Sequence, residues 1–135
     1  MNHPHLMLAS QSPRRRELLK LLGLPFEATV ADVREAARAR ETPAQLATRL
    51  SRAKATSLDG RTGRRQLVIG CDTVVALEDN RGVVHILGKP GDGGEAAGML
   101  RALRGRSHTV FSAITVSADG SRPGTELVAT RLRMR

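Results

Sequence analysis

The sequence predicts an α/β domain, built on a mixed and largely extended β-sheet flanked by helices. Short apolar runs of strand character alternate with helical patterns of roughly 10–15 residues, and this order places helices against a central sheet. A predicted hairpin at residues 74–87 makes the sheet mixed rather than purely parallel. The 135 residues fit one domain, and we expect residues 1–135 to form it as a unit.

The first predicted unit is a strand, a turn and a helix. His5–Ala9 is a short apolar run. After it, Ser12 suits the N-cap and Pro13 the first helical position, since the missing N–H of proline would have no partner there. Gly23 can adopt the left-handed conformation that ends a helix. Residues 26–30 predict a second strand.

A second helix follows a stretch without clear periodicity. Residues 32–41 are charged and rich in alanine, and they predict an exposed loop or a short helix. Thr42 and Gln45 then have the spacing of a capping box. Four apolar side chains share one face of the helix that follows: Leu46, Ala47, Leu50 and Ala53. Lys54 lies at the edge of that face, from where its long side chain could reach inward.

The remainder of the chain predicts strands around one further helix. Residues 67–69 are a buried type of strand, which we expect to stop at residues 70–73 before the apolar pattern resumes. A turn at residues 78–82 and a returning strand at 83–87 complete a hairpin. Asp92 caps a third helix, and the stretches 109–116 and 127–134 alternate as strands.

The charge of the chain points to phosphate. Lys and Arg number 22 against 13 Asp and Glu, which gives a net charge of +9, and 19 of the 22 are Arg. Arg binds phosphate through two parallel hydrogen bonds. Only two aromatic residues are present, Phe26 and Phe111, so the stacking surfaces of single-strand and RNA binders are missing. The composition therefore favours small phosphate ligands over nucleic acid.

The cysteine content indicates a reducing compartment. Cys71 is the only cysteine, which excludes an internal disulfide and a cysteine-based metal cluster. The first residues lack the basic-then-apolar order of a signal peptide, and no apolar run approaches the roughly 18 residues of a membrane span. We expect a cytoplasmic protein with no membrane partner.

Three consecutive arginines, Arg14, Arg15 and Arg16, occupy the predicted first turn of the first helix. The helix dipole is positive there and disfavours a cation by about 0.3–1 kcal/mol. An anion bound at the free N–H groups would resolve this conflict, and the hydroxyls of Ser10 and Ser12 would add donors. Solvated surface charge is the alternative interpretation.

Asp72 is the candidate for metal or proton chemistry. It lies in a Gly-Cys-Asp-Thr segment between two apolar runs, where a carboxylate could hold a divalent metal or take a proton from water. An ordinary turn aspartate is the alternative. Lys89 follows a strand, in the type of loop where α/β sheets bind ligands. Lys54 and Glu35 are weaker candidates because each also fits an exposed position.

Taken together in order, these segments resemble the Maf family of nucleoside triphosphate pyrophosphatases. The matching stretches are LASQSPRRRELL at residues 8–19, DVRE at 32–35, LSRAKA at 50–55, GCDTVV at 70–75, GKP at 88–90 and MLRALRGRSH at 99–108. The first and fourth of these are the most specific. The resemblance covers nearly the whole chain and implies a Maf/ITPase-like fold.

The resemblance also implies an activity, a metal and a set of site residues. Family members hydrolyse a nucleoside triphosphate between its α and β phosphates with Mg²⁺ or Mn²⁺, and they are commonly homodimers. By resemblance, substrate binding falls to Ser10, Arg14, Arg15, Thr73 and Lys89. The resemblance assigns catalysis to Lys54, Asp72 and Lys89, and it assigns metal binding to Glu35 and Asp72. The forms at Arg14 and Thr73 resemble the branch that acts on dTTP, UTP and modified pyrimidine nucleotides.

The sequence also departs from the family pattern. Arg34 stands where an acidic residue is common, and family members continue past the position that matches Arg135. We therefore expect residues 1–135 to be a Maf-like domain that is short at its C-terminal end. Two alternatives stay open: a fragment that binds nucleotide with impaired catalysis, and a basic nucleic-acid-binding domain.

Overall fold

The computed structural model describes residues 4–58, 65–88, 92–118 and 121–135. The elements found there, in chain order, are β1 (His5–Ala9), α1 (Pro13–Lys20), β2 (Glu27–Thr29), α2 (Pro43–Thr56), β3 (Gln66–Glu78), β4 (Val84–Leu87), α3 (Gly93–Leu103), β5 (Ser107–Ala118) and β6 (Gly124–Arg133). The six strands form one sheet and helices flank it, so the predicted α/β class is confirmed.

Strand β3 is the centre of the sheet. It pairs in parallel with β1 along one edge and antiparallel with β5 along the other, in the order β2-β1-β3-β5-β6. The second half of β3 also pairs antiparallel with β4, which confirms the predicted hairpin and the mixed sheet. Pairing with β1 ends at Ala9 and Gly70, so β3 continues beyond the carboxyl end of its parallel neighbour.

The local signals at the starts of the first two helices are confirmed. Ser12 Oγ accepts a hydrogen bond from the amide of Arg15 at 3.4 Å, and Pro13 begins α1. Thr42 and Gln45 form the reciprocal capping box, with bonds of 3.1 and 3.0 Å. Each of these caps is closed within four residues of sequence, which is why the sequence alone identifies them.

The predicted interruption of the strand at residues 70–73 is wrong. β3 runs unbroken for 13 residues, because β5 supplies partners from Leu67 through Ala76 and leaves no reason for a turn. Gly70 serves the packing of a helix instead. A Cβ built there would lie against the carbonyl oxygen of Ser51 and 2.5 Å from the amide nitrogen of Ala55. Glycine is therefore required where α2 crosses the strand.

The core lies between α2 and one face of the sheet. Its largest part is made of side chains from α2, β3 and β5, with Phe111 packed alongside: Leu46, Ala47, Leu50, Val74 and Ala113. The other face keeps a number of exposed apolar side chains on α1, the turn after it, β5 and β6: Leu18, Leu22, Ile114, Val116, Val128 and Leu132. No helix within the described ranges is long and apolar enough to cross a membrane.

A segment without regular structure, residues 30–41, connects β2 to α2, and the loop alternative of the prediction is confirmed. Its end is tied to α2 by Arg49, which donates from Nε to Glu41 Oε2 at 2.6 Å and from Nη2 to Glu41 Oε1 at 2.9 Å. Arg49 and the backbone amide of Arg38 lower the pKa of Glu41 to about 2. We refer to the Arg49–Glu41 pair as the loop clamp.

The packing at Gly70 predicts that alanine lowers the stability of the fold at this position and not at an open helix position. Gly70→Ala should lower the free energy of unfolding by about 1–3 kcal/mol, because the methyl group meets helix backbone and forces α2 outward. Gly98→Ala in α3 is the matched control, since nothing lies within 4 Å of its added Cβ. The control should gain roughly 0.5–1 kcal/mol from helix propensity. Urea unfolding measures both, and a Gly70→Ala variant as stable as the parent would contradict the packing argument.

The loop clamp predicts a pH-dependent stability difference between the parent and Glu41→Gln. A carboxylate with a lowered pKa stabilises the folded state fully above its unfolded value of about 4.5 and loses that contribution as the pH falls toward 2. The variant should thus be less stable at pH 7, with the gap closing between pH 4.5 and 2. Thermal unfolding across this range tests it, with exposed Glu17→Gln on α1 as control. A gap of constant size would count against the clamp.

Candidate functional site

The carboxyl end of β1, the start of α1 and the middle of β3 converge at one edge of the parallel pair. Ser10 follows β1 directly, and the extension of β3 past Gly70 places Asp72 and Thr73 beside it. The carboxyl ends of parallel strands are where α/β sheets bind ligands. This edge is the candidate site.

Arg15 links the three segments. Its Nη1 donates to Ser10 Oγ at 3.4 Å and to the carbonyl oxygen of Cys71 at 3.2 Å, and its Nη2 donates to Thr73 Oγ1 at 3.0 Å. The guanidinium is therefore held at the sheet edge rather than loose in solvent. Arg14 is exposed and lines a mainly apolar cleft next to this edge, which is described below.

The start of α1 is electropositive. Its first turn contains no acidic residue, three arginines follow Pro13, and Ser12 occupies the cap. The free N–H groups and the dipole of a helix start favour an anion. Arg15, the Ser10 hydroxyl and this helix start are groups of the kind that stabilise a phosphate.

Lys54 lies between two carboxylates. Its Nζ donates to Asp72 Oδ1 at 3.0 Å and pairs with Glu35 Oε1 at 2.9 Å. The side chains of Lys54 and Asp72 are 10% and 9% exposed, whereas that of Glu35 is 55% exposed. Burial raises the pKa of Asp72 above its ordinary value, while the hydrogen bond and charge of Lys54 oppose the rise.

The two oxygens of Asp72 differ in their bonding. Asp72 Oδ2 is buried and has no hydrogen-bond partner among the described residues. A buried polar atom without a partner is costly and calls for an explanation such as an ion. No group of three or more His, Cys, Asp or Glu that could hold a metal occurs in the described part of the chain. Two carboxylates, Asp72 and Glu35, fit Mg²⁺, which binds proteins through one or two carboxylates while keeping water and substrate phosphates as its other ligands.

Two clefts meet at Arg15. The smaller, of about 310 Å³, is lined by polar groups of the site, including Ser10, Ser12, Glu35 and Lys54. The larger, of about 680 Å³, has a mainly apolar lining from α1, the turn after it, β3 and β5: Leu18, Leu22, Ile69 and Ile114. The two clefts together would fit one ligand, with its anionic group in the smaller cleft and an attached apolar or planar group in the larger.

The structure brings most of the predicted site residues together. Those at the edge of the sheet are Ser10, Arg15, Glu35, Lys54, Asp72 and Thr73, and Arg14 lies on the wall of the larger cleft. Lys89 lies outside the described residues.

Two features of the site escaped the sequence analysis. Arg49 of the loop clamp also donates from Nη2 to the carbonyl oxygen of Ala36, adjacent to Glu35, at 2.9 Å. Its partners are 8 and 13 residues away, so no short-range motif reveals them. The second is the apolar wall formed by Leu18 and Leu22, because periodicity does not distinguish a core face from a ligand-binding face.

Curated relatives share substantial identity with the chain. A "dTTP/UTP pyrophosphatase" of Pelotomaculum thermopropionicum is 45% identical over 117 residues, which are 87% of this chain and 58% of that protein. One of the same name from Anaeromyxobacter dehalogenans is 44% identical over 126 residues, 93% of this chain and 60% of its own length. The chain therefore spans about three-fifths of the length of these relatives.

Solved structures share the fold. A HAM1 protein from Coxiella burnetii aligns with a TM-score of 0.60 at 17% identity, covering 96% of this chain and 72% of its own. A nucleoside-triphosphatase, or dITP/XTP pyrophosphatase, from Mycobacterium abscessus aligns with a TM-score of 0.57 at 15% identity, covering 94% and 72%. At this identity the likeness concerns the fold alone.

The sequence pattern of one family spans residues 5–135, nearly the full chain. It includes the sheet edge at Ser10, the first turn of α1 and the Lys54–Asp72 contact. The chain belongs to the family of Maf-like proteins.

Proposed function

We propose that this chain is a nucleoside triphosphate pyrophosphatase, which hydrolyses the bond between the α and β phosphates to give a monophosphate and pyrophosphate. The observation that carries the proposal is the buried Lys54–Asp72 pair with its Glu35 partner, in which Lys54 and Glu35 line the polar cleft bordered by Arg15. Relatives named as dTTP/UTP pyrophosphatases, at about 45% identity, support it.

Substrate binding is proposed for Ser10, Arg14, Arg15, Thr73 and Lys89. Arg15 is already oriented by Ser10, the Cys71 carbonyl and Thr73, so little side-chain entropy is lost when a phosphate binds. The start of α1 adds N–H donors and a positive dipole. These groups would offset the mutual repulsion of the phosphate charges.

Catalysis is proposed for Lys54, Asp72 and Lys89, with Glu35 and Asp72 as the groups that hold Mg²⁺ or Mn²⁺. A divalent cation supplies charge neutralisation and an activated water at such a site. Lys54 favours the ionised form of the buried Asp72, the form needed for metal binding or for taking up a proton. Glu35, more exposed and on a loop, approaches from the side of the cleft open to solvent.

We propose dTTP, UTP or modified pyrimidine nucleotides as substrates. The names of the relatives support this preference. The larger cleft offers an apolar surface beside Arg14 and Thr73, of a size suited to a nucleoside. The residues at these two positions are those that resemble the pyrimidine branch of the family.

A cytoplasmic location and a homodimer are also proposed. The lone Cys71 supports a reducing compartment. Strand β6 is the last strand in the order of the described sheet, and most of its residues are exposed. An exposed edge strand of this length favours association with another strand.

Nucleotide binding without turnover is the second candidate. The observation that favours it is the separate bonding of the anion-binding group, since Arg15 is held by Ser10 and Thr73 and not by the Lys54–Asp72 pair. Thermal stabilisation by dTTP or UTP with no pyrophosphate release would distinguish it from the pyrophosphatase.

The proposal predicts metal-dependent pyrophosphate release. The chain, incubated with Mg²⁺ and dTTP or UTP, should release pyrophosphate in amounts equal to the monophosphate formed. Release should stop on chelation with EDTA and should be slower with 7-methyl-GTP. A coupled pyrophosphate assay measures it, and the absence of release from all three nucleotides would refute the proposal.

Asp72→Asn separates catalysis from binding. Loss of the carboxylate should lower kcat by about 10²-fold or more, while the Kd for nucleotide changes little because the anion-binding groups remain. Asp79→Asn, the same change in the β3–β4 turn, is the matched control and should keep the parental rate. Turnover by Asp72→Asn at the parental rate would remove Asp72 from the mechanism.

A further inference from the structure

The loop that carries Glu35 has little packing to hold it. Residues 34–40 are all exposed, and the segment between β2 and α2 contains no regular structure. The Glu35 carboxylate is nevertheless 2.9 Å from Lys54 Nζ. An exposed loop keeps such a contact only if polar bonds fix its backbone, because few apolar contacts oppose its motion.

The loop clamp supplies such bonds on the C-terminal side of Glu35. Arg49 Nη2 donates to the carbonyl oxygen of Ala36, the residue after Glu35, at 2.9 Å, and the same guanidinium binds both oxygens of Glu41. Lys54 lies five residues further along the same helix. One helix thus holds the loop at its backbone through Arg49 and at its carboxylate through Lys54.

A turn closes the loop between Ala36 and Glu41, the two residues that Arg49 binds. Glu41 Oε1 accepts from the amide of Arg38 at 3.0 Å, and the Glu41 amide donates to the carbonyl of Arg38 at 3.1 Å. Arg40 has a φ of 62°, a left-handed conformation that is uncommon for arginine and persists only where its surroundings hold it. The clamp is therefore connected to the Glu35 backbone by a short, constrained path.

We propose that Arg49, together with Glu41, is a positioning residue for the Glu35 carboxylate and thereby sets the affinity of the site for its divalent cation. The inference rests on the proposed function. Arg49 is not among the residues that line the two clefts through which the substrate is proposed to bind, so it acts on the Glu35 carboxylate through the loop. Groups that orient metal-binding carboxylates typically change metal affinity or activity by about 10–100-fold when they are removed.

The geometry requires arginine rather than lysine. The planar fork reaches two Glu41 oxygens and the Ala36 carbonyl at once through Nε and Nη2. A lysine ammonium keeps the charge but lacks this arrangement of donors. Arg49→Lys thus removes the positioning while it preserves the net charge of the helix.

The test compares Arg49→Lys with Arg52→Lys. Arg52 is on the same helix, and its Nη1 donates to Thr125 on β6 instead of the loop, which makes it the matched control. Mn²⁺ is titrated by electron paramagnetic resonance in the presence of α,β-methylene-UTP. We expect a Kd about 10-fold or more higher in Arg49→Lys, a Kd within 2-fold of the parent in Arg52→Lys, and faster amide hydrogen exchange at residues 32–41 in Arg49→Lys alone.

A double variant shows whether Arg49 acts through Glu35. If it does, Arg49→Lys should weaken Mn²⁺ binding much less in a Glu35→Gln background than in the parent, because the carboxylate that it positions is gone. Equal losses in the two backgrounds would overturn the proposal. A parental Mn²⁺ affinity in Arg49→Lys, or a parent chain that binds no Mn²⁺ with the nucleotide analogue, would also overturn it.

The two proposals fail in different ways. Mn²⁺ binding and hydrogen exchange need no turnover, so both report on Arg49 even in a chain that releases no pyrophosphate. Absent pyrophosphate release refutes the proposed function, whereas unchanged Mn²⁺ binding in Arg49→Lys refutes the positioning role. In an active chain, the Arg49→Lys loss should shrink as Mg²⁺ is raised, while the KM for nucleotide at saturating Mg²⁺ stays near the parental value.

Discussion

The contact between α2 and β3 at Gly70 is the constraint on which the site depends. The absence of a side chain there lets the helix backbone at Ser51 and Ala55 approach the strand directly. This approach buries Lys54 over the strand, with Nζ 3.0 Å from Asp72. A residue with a Cβ would lift the helix and lengthen this contact. Helix packing and the chemistry of the site are therefore set by the same glycine.

Lys54, Asp72 and Glu35 form an ionic cluster above that contact. A contribution to the stability of the fold explains this cluster poorly. Taking charges out of water costs several kcal/mol for each ion, and a buried pair returns this only where hydrogen bonds satisfy its remaining atoms. Lys54 bridges Asp72 and Glu35, but Asp72 Oδ2 has no partner among the described residues. Apolar side chains would pack this position at lower cost. A cluster that is incomplete in its own bonding is better explained by a ligand that completes it.

Features governed by neighbouring residues were predictable from the sequence, and those governed by distant contacts were not. The Ser12 cap and the Thr42–Gln45 box are closed within a few residues and are confirmed. Gly70 followed by polar residues is typical of a turn, yet β5 pairing and α2 packing, both distant in sequence, make it a strand. The family motifs identified residues that converge at the sheet edge. The loop clamp has no such motif, because the loop groups that Arg49 binds come near it only when the loop is folded.

Helix α1 is unfavourable as an isolated element, and its unfavourable features face the clefts. Arginines occupy its positive end. Leu18 within the helix and Leu22 just after it are 58% and 64% exposed, while Leu19 is buried. In a helix that served packing alone, the charges would be acidic and the leucines covered. Arg15 instead borders the polar cleft, and both leucines line the apolar one. A ligand with a polyanionic end and an apolar or planar end would relieve both costs at once, and the nucleoside triphosphate proposed as substrate has both.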